Sequence, residues 1–191
     1  MTNFSIIGTG NMAKGIEALL TRGGNKVTLI SHEDMGSVAL EDVVILAVPY
    51  TALPEVAQTL KNDVAGKTVV DITNPVDFSS MSLTVPEAGS AAQELQSLLP
   101  EAKVVKAFNT TFAATLVSGK VGENPVTVMV AGDDEEAKKL VLDAVKADSS
   151  AQAVDAGSLS RAAQLEAFGF LQISLAASGQ MPWTAGFAVV R

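Results

Sequence analysis

The sequence predicts an α/β protein built on a doubly wound parallel sheet, and three observations lead there. Short apolar runs alternate with helical stretches from one end of the chain to the other, the pattern of consecutive strand–helix–strand units. The first run, Phe4-Ser5-Ile6-Ile7, passes directly into Gly8-Thr9-Gly10-Asn11-Met12-Ala13 and a helix through Leu20. The length, 191 residues with 48% hydrophobic side chains, suits one well-buried domain and is short for two ordinary ones.

The glycine turn is the most specific element. Its spacing is G-x-G-x-x-G/A, after a strand and opening a helix, which is the setting a dinucleotide-binding fingerprint requires. Gly8 permits the tight turn, and Gly10 lacks the Cβ that would keep the backbone from a pyrophosphate. Ala13 at the third position still lets helix and strand pack closely. The free N–H groups of the helix start would then hold the phosphates. This makes the sheet Rossmann-type.

The second strand, Lys26 to Ile30, ends at Ser31-His32. NAD-binding chains usually place an acid there for the ribose 2′-hydroxyl. A hydroxyl and an imidazole favour NADP(H), since both can hydrogen-bond a 2′-phosphate. Glu33 and Asp34 follow at once and are the alternative partners, for an NAD ribose. Only eleven residues separate Ile30 from Asp42. A crossover alone takes about a dozen, so the sheet is expected to be shortened after the second strand, with coil or a single helical turn in place of the usual helix and third strand.

The remaining elements follow in order. Asp42 to Val48 is a fully apolar strand stopped by Pro49, and Thr51 to Lys61 reads as a helix. Lys67 to Asp71 is a strand, residues 76–90 a loop rich in Ser and Pro, and Ser90 to Leu99 a helix. Lys103 to Ala107 and Val126 to Ala131 are strands. Asp133 is placed to cap a helix through about Ala147. Ala151 to Val154 is a last strand, and Leu159 to about Ala177 a long apolar helix. The expected organisation is a nucleotide-binding domain over residues 1–155, with a C-terminal helix and tail over residues 156–191 completing the same compact unit.

Composition removes whole classes of function. The net charge is −8 and basic residues do not cluster, which argues against nucleic acid and anionic membrane surfaces as partners. No apolar run approaches the roughly eighteen residues of a membrane span. The absence of cysteine and the presence of one histidine exclude disulfides, thiolate catalysis and His- or Cys-based metal sites. A core strand from residue 3 leaves no room for a signal peptide, so a cytoplasmic setting is expected.

Three strand ends carry polar, turn-forming segments: Val48-Pro49-Tyr50, Thr73-Asn74-Pro75 and Phe108-Asn109-Thr110. Ligands of open α/β sheets bind at the carboxyl ends of strands, so Val48, Pro49, Thr73, Asn74 and Asn109 are expected to surround a nicotinamide. These segments, together with Ile6 to Met12, Asp71 to Pro75, the string Val104-Val105-Lys106-Ala107-Phe108-Asn109-Thr110, Ala131 to Glu135 and Asp155 to Glu166, carry a resemblance over nearly the whole chain. The sequence resembles the deazaflavin-dependent NADP oxidoreductases (reduced coenzyme F-420:NADP oxidoreductases) and their bacterial relatives. The resemblance implies a single Rossmann domain with a small C-terminal extension, a deazaflavin over the nicotinamide, and subunits that pair as a homodimer. It also implies NADP at Thr9, Gly10, Asn11, Met12, Ser31 and His32, with nicotinamide surroundings at Val48, Ala107, Phe108 and Asn109. His32 stands where the family commonly has Arg. The opening Ile7 to Ala13 also resembles pyrroline-5-carboxylate reductases, which carry an added helical dimerisation domain; this chain is too short to include one, so an imine reductase ranks second.

Hydride transfer between two stacked rings needs orientation rather than a side-chain acid, which suits a chain with one His, one Tyr and no Cys. Tyr50 is the one candidate acid of an alcohol- or imine-type dehydrogenase, and a wall role is expected for it. The expected activity is hydride transfer between NADP(H) and a deazaflavin, flavin or other small-molecule acceptor. A non-catalytic NADP-binding redox sensor is the contrasting reading. The apolar surface of the last helix and of the segment from Met181 to Phe187 is expected to serve as acceptor pocket or dimer surface, with intramolecular core as the equal alternative.

Overall fold

The computed structural model describes residues 1–190. Its main sheet contains β1 (Asn3–Ile7), β2 (Lys26–Ile30), β3 (Val43–Leu46), β4 (Thr68–Asp71), β7 (Lys103–Ala107), β9 (Asn124–Gly132) and β10 (Ala151–Gly157). A two-strand hairpin, β5 (Val76–Asp77) and β6 (Ser82–Leu83), lies in the Ser-rich loop, and β8 (Lys120–Val121) adds to the margin of β9. The helices are α1 (Asn11–Arg22), α2 (Leu53–Leu60), α3 (Ala91–Leu98), α4 (Ala113–Ser118), α5 (Glu135–Lys146) and α6 (Ala162–Ala177).

The strand order is β10-β9-β7-β4-β3-β1-β2. The five strands from β7 to β2 are mutually parallel. Period-two burial sorts their side chains to two faces. Phe4, Ile6, Val43, Ile45, Val70 and Val105 face the core under α1, α4 and α5. Ile7, Val44, Leu46, Val69 and Val104 face α2 and α3. Both faces are covered, which explains why the strands are apolar at nearly every position.

Besides the hairpin, β8 and α4, which the sequence reading did not contain, two features depart from the expected plan. β9 pairs antiparallel with β7, and β10 follows β9 in parallel, so the Rossmann-type sheet is mixed at that margin. A parallel neighbour would have required the chain to cross back to the far end of the sheet. Here residues 108–123 remain at the carboxyl end of β7, and α4 forms there. The α5 cap is the second: Asp134, rather than Asp133, accepts from the N–H of Ala137 at 2.9 Å. Asp133 instead accepts from the N–H of Leu159 at 2.9 Å, tying the turn before α6 to the end of β9.

The shortening after β2 is as expected. Residues 31–42 contain turns and coil without helix or strand. The loop is pinned rather than loose: Lys67 Nζ donates to the Leu40 carbonyl at 2.6 Å, and the Glu41 N–H donates to Ser5 Oγ at 3.0 Å. Among the described residues no helix is long and apolar enough to cross a membrane.

One polar cluster lies inside the core. Lys106 is fully buried, and its ammonium donates to Asp71 Oδ2 at 2.8 Å, to Glu166 Oε1 at 2.7 Å and to the Thr73 carbonyl. Glu166 also accepts from the N–H groups of Ala91 and Ala92 at the start of α3, at 3.0 and 3.3 Å. Burial lifts the Glu166 carboxyl above its usual range, against the pull of Lys106. Removing one member of a buried ion network leaves the others uncompensated. Lys106→Met is therefore expected to lose about 3–5 kcal/mol of unfolding free energy, read by urea denaturation; a loss within the error of wild type would show that the cluster does not hold the fold.

Candidate active site

The glycine turn is set by two backbone contacts. The Gly8 N–H donates to the Ile30 carbonyl at 2.8 Å, and the Ala47 N–H to the Ile7 carbonyl at 2.9 Å. Gly8 has φ +122°, and a Cβ there would overlap the Ala47 carbonyl oxygen. Gly10 differs in kind. Its φ is an ordinary −74°, and a Cβ added to it would meet no atom within 4 Å. The space over Gly10 is open because it faces the site. Gly10 is also the N-cap of α1, without a side-chain cap and without an acid in the first turn. The helix start thus presents bare N–H groups to an anion.

Two cavities lie at the carboxyl ends of the strands. The first, of about 470 Å³, is lined by Gly10, Ala47, Val48, Pro49, Tyr50 and Thr73, among others. The second, of about 650 Å³, is mostly apolar, with Phe112, Val117 and Trp183 in its wall beside Asn109 and Gln172. Asn11, Met12, Ile72, Asn74 and Ile173 line both. α4 and α6 supply the second cavity's wall, which is where the antiparallel turn of the chain after β7 matters.

Most of the residues singled out from sequence meet here. Gly10, Asn11, Met12, Val48, Pro49, Thr73 and Asn74 line the first cavity, and Asn109 the second. Thr9 is exposed beside them. Ala13, in the first turn of α1, is fully buried, in the packing role read for it. Ala107 and Phe108, expected among the nicotinamide surroundings, are 0% and 1% exposed, belong to the core and line neither cavity. Phe108 has φ +63°, a conformation costing about 1–3 kcal/mol in a non-glycine residue. Its contribution to the site is through backbone, since this turn directs Asn109.

Asn109 and Asn74 clasp each other. Asn109 Nδ2 donates to Asn74 Oδ1 at 2.9 Å and to the Leu165 carbonyl at 2.9 Å, and Asn74 Nδ2 donates to the Asn109 carbonyl at 2.9 Å. Gly169 of α6 lies over this clasp; a Cβ there would stand 2.6 Å from Asn74 Oδ1. Thr73 Oγ1 and Asn109 Oδ1 are buried without partners among the described residues.

Ser31 and His32 lie at the end of β2 and line neither cavity. Ser31 Oγ donates to Asp34 Oδ2 at 2.6 Å and accepts from the Asp34 N–H. His32 Nε2 is 3.7 Å from Glu55 Oε1. Sequence reasoning missed the Asp71–Lys106–Glu166 cluster under the strand ends and the Gln172 amide. A lysine in an apolar strand and a glutamate in an apolar helix were the available signals.

Tyr50 Oη donates to Glu94 Oε2 at 2.9 Å. Its phenol is pushed up to about 12, by burial first and then by the Glu94 hydrogen bond and charge. It is the sole tyrosine of the chain, so its tyrosinate absorbance is expected to titrate near 12 rather than 10. A raised folded value means that the stabilisation is complete below the unfolded value of about 10 and is lost as pH rises toward 12. Glu94→Gln should lower the midpoint only in part, because burial is the larger cause. The two glycines give a second test. Gly8→Ala should destabilise the fold, whereas Gly10→Val should melt as wild type and weaken NADPH binding by about a hundredfold, or about 2.8 kcal/mol, in calorimetric titration. A Gly10→Val protein that binds normally would refute the phosphate cradle.

Comparison with known proteins agrees with this geometry. The family model described as NADP oxidoreductase coenzyme F420-dependent matches residues 32–75, from the end of β2 to the Asn74 turn. The F420-dependent NADP reductase of Methanocaldococcus jannaschii is 34% identical over 169 residues, covering 85% of this chain and 74% of that protein. The metalloreductase STEAP3 of Rattus norvegicus is 30% identical over 181 residues, covering 85% of this chain but 35% of that protein. A crystal structure from Arthrobacter sp. FB24, described as an F420-dependent NADP-reductase, shares the fold with a TM-score of 0.84 at 24% identity, covering all of both chains. Identity of 34% across most of both sequences, over a glycine turn and strand ends arranged as a dinucleotide site, establishes that the chain belongs to the coenzyme F420-dependent NADP oxidoreductase family.

Proposed function

We propose that the protein transfers hydride between NADP(H) in the first cavity and a deazaflavin or other flavin-like acceptor in the second. The observation that carries this reading is the junction of the two cavities, which share Asn11, Met12, Ile72, Asn74 and Ile173. Ligands occupying both would be neighbours. The relative from M. jannaschii supports the cofactor pair by its name.

The residues suit the nucleotide. The uncapped start of α1 and the open face of Gly10 fit a pyrophosphate. Val48 and Pro49 offer an apolar surface to a nicotinamide ring, with the unpartnered hydroxyl of Thr73 beside them. Ser31 and His32 would hold the 2′-phosphate by exchanging their present acidic partners for it. When bound, the nicotinamide itself supplies or takes the hydride, so the protein's task is placement. The Asn74–Asn109 clasp fixes the shared wall of the two cavities against α6. Tyr50 keeps its proton and its bond to Glu94, and the apolar wall of the second cavity excludes water. A homodimer and a cytoplasmic setting belong to the same reading.

Steady-state kinetics with NADPH and a deazaflavin acceptor test the proposal. Tyr50→Phe is expected to retain kcat within about twofold. Asn109→Ala should lower kcat by about tenfold or more while leaving the dissociation constant of NADPH nearly unchanged, because it loosens ring placement rather than phosphate binding. A large loss for Tyr50→Phe with Asn109→Ala near wild type would point instead to acid catalysis on an imine or carbonyl. NADH bound tenfold more tightly than NADPH, about 1.4 kcal/mol, would overturn the cofactor assignment.

A further inference from the structure

The apolar cavity contains a polar side chain that the protein leaves unanswered. Gln172 of α6 is 1% exposed and lines this cavity, and among the described residues neither its amide nitrogen nor its amide oxygen has a partner. Asn109 lines the same cavity, and its Oδ1 is also unpartnered among the described residues, its Nδ2 being engaged by Asn74 and Leu165. The tail covers the amide from outside: a Cβ on Gly186 would stand 3.7 Å from Gln172 Nε2. Around it the wall is Ile72, Phe112, Ile173 and Trp183. Each unsatisfied buried polar group costs about 1–3 kcal/mol, and a carboxamide has a donor and an acceptor to satisfy side by side.

The chemistry of the missing partner follows from that pair. A carboxylate or phosphate would satisfy Nε2 and leave Oε1 facing negative charge. An amine would satisfy Oε1 alone. A ring that carries N–H next to C=O satisfies both at once, with Nε2 donating to the ring carbonyl and the ring N–H donating to Oε1. We propose that Gln172 is the specificity-determining residue of the second cavity, selecting a flat heterocycle by a lactam or imide edge. This rests on the reading of that cavity as the acceptor site and names the feature by which an acceptor is chosen. Quinones and metal chelates lack the edge and are not selected by it.

Riboflavin and its N3-methyl derivative form the test, because methylation removes the imide donor and leaves the ring otherwise alike. Binding is read by quenching of flavin fluorescence, with the nucleotide site saturated by NADP⁺. Wild type is expected to bind riboflavin about tenfold more tightly than the methylated ring, the worth of one hydrogen bond. Gln172→Met, unbranched and similar in size, is expected to bind both equally at the weaker level. Its melting temperature should equal or exceed that of wild type, since it removes a buried unpaired amide, and its affinity for NADPH should stay within about twofold. Equal binding of the two rings by wild type, discrimination retained in Gln172→Met, or no binding of riboflavin at all would each overturn the proposal. Discrimination in binding without any hydride transfer would refute the redox reading while leaving this one standing; transfer without discrimination would do the reverse.

Discussion

The position of the last helix depends on one buried ammonium group. Lys106 Nζ joins Asp71 at the end of β4 to Glu166 on α6, and Glu166 in turn receives the first N–H groups of α3. Taking these charges out of water costs several kcal/mol per ion, so the cluster is a poor source of net stability compared with apolar packing. Its effect is geometric. An apolar helix can slide or rotate over an apolar sheet at little cost. A helix whose glutamate must reach a fully buried lysine cannot. Once Glu166 is placed, Gly169 falls over the Asn74–Asn109 clasp, and Gln172 and Ile173 fall on the cavity wall. The cluster lines neither cavity, yet it determines which side chains do.

What could be read in the sequence was whatever has a local signature. The glycine turn follows from sterics within six residues, and β1, β3, β4 and β7 announce themselves as apolar runs because helices cover both faces. The missing unit after Ile30 was legible from chain length alone. Strand direction was not, since a period of two is the same whichever way a strand runs; nothing in Val126 to Ala131 distinguishes the antiparallel β9. α4 escaped because six residues between Phe112 and Gly119 are too short for a helical period to stand out. The Asp71–Lys106–Glu166 contact joins residues 35 and 60 positions apart, and only the fold brings them together. Ala107 and Phe108 entered the site through the family resemblance; β7 turns Ala107 into the core, and the positive φ of Phe108 returns its side chain to the same core.

The reversal of direction at β9 has a functional consequence. In an all-parallel sheet, the segment after β7 would leave the carboxyl end at once to form a crossover helix. Here it stays, and Phe112, Ala113, Ala114 and Val117 become the wall of the larger cavity. Phe112 also packs against Trp183 of the tail, with ring centroids 4.9 Å apart. The described residues therefore build two adjoining cavities, using α4 and the tail as the far wall.

The nucleotide end shows a different economy. An arginine would offer a dianionic phosphate a permanent charge and a bidentate fork. This chain has Ser31 and His32, each already facing an acid. The His32–Glu55 contact is about 70% exposed on both sides, where solvent screens whatever attraction it carries. Giving one up for a phosphate costs little. Asp34 is held more firmly, since it both receives the Ser31 hydroxyl and donates its own N–H to it; its carboxylate remains close to any phosphate bound there. On the proposed reading, with the 2′-phosphate at Ser31 and His32, preference for NADP(H) would rest on a small difference between repulsion by Asp34 and attraction by His32.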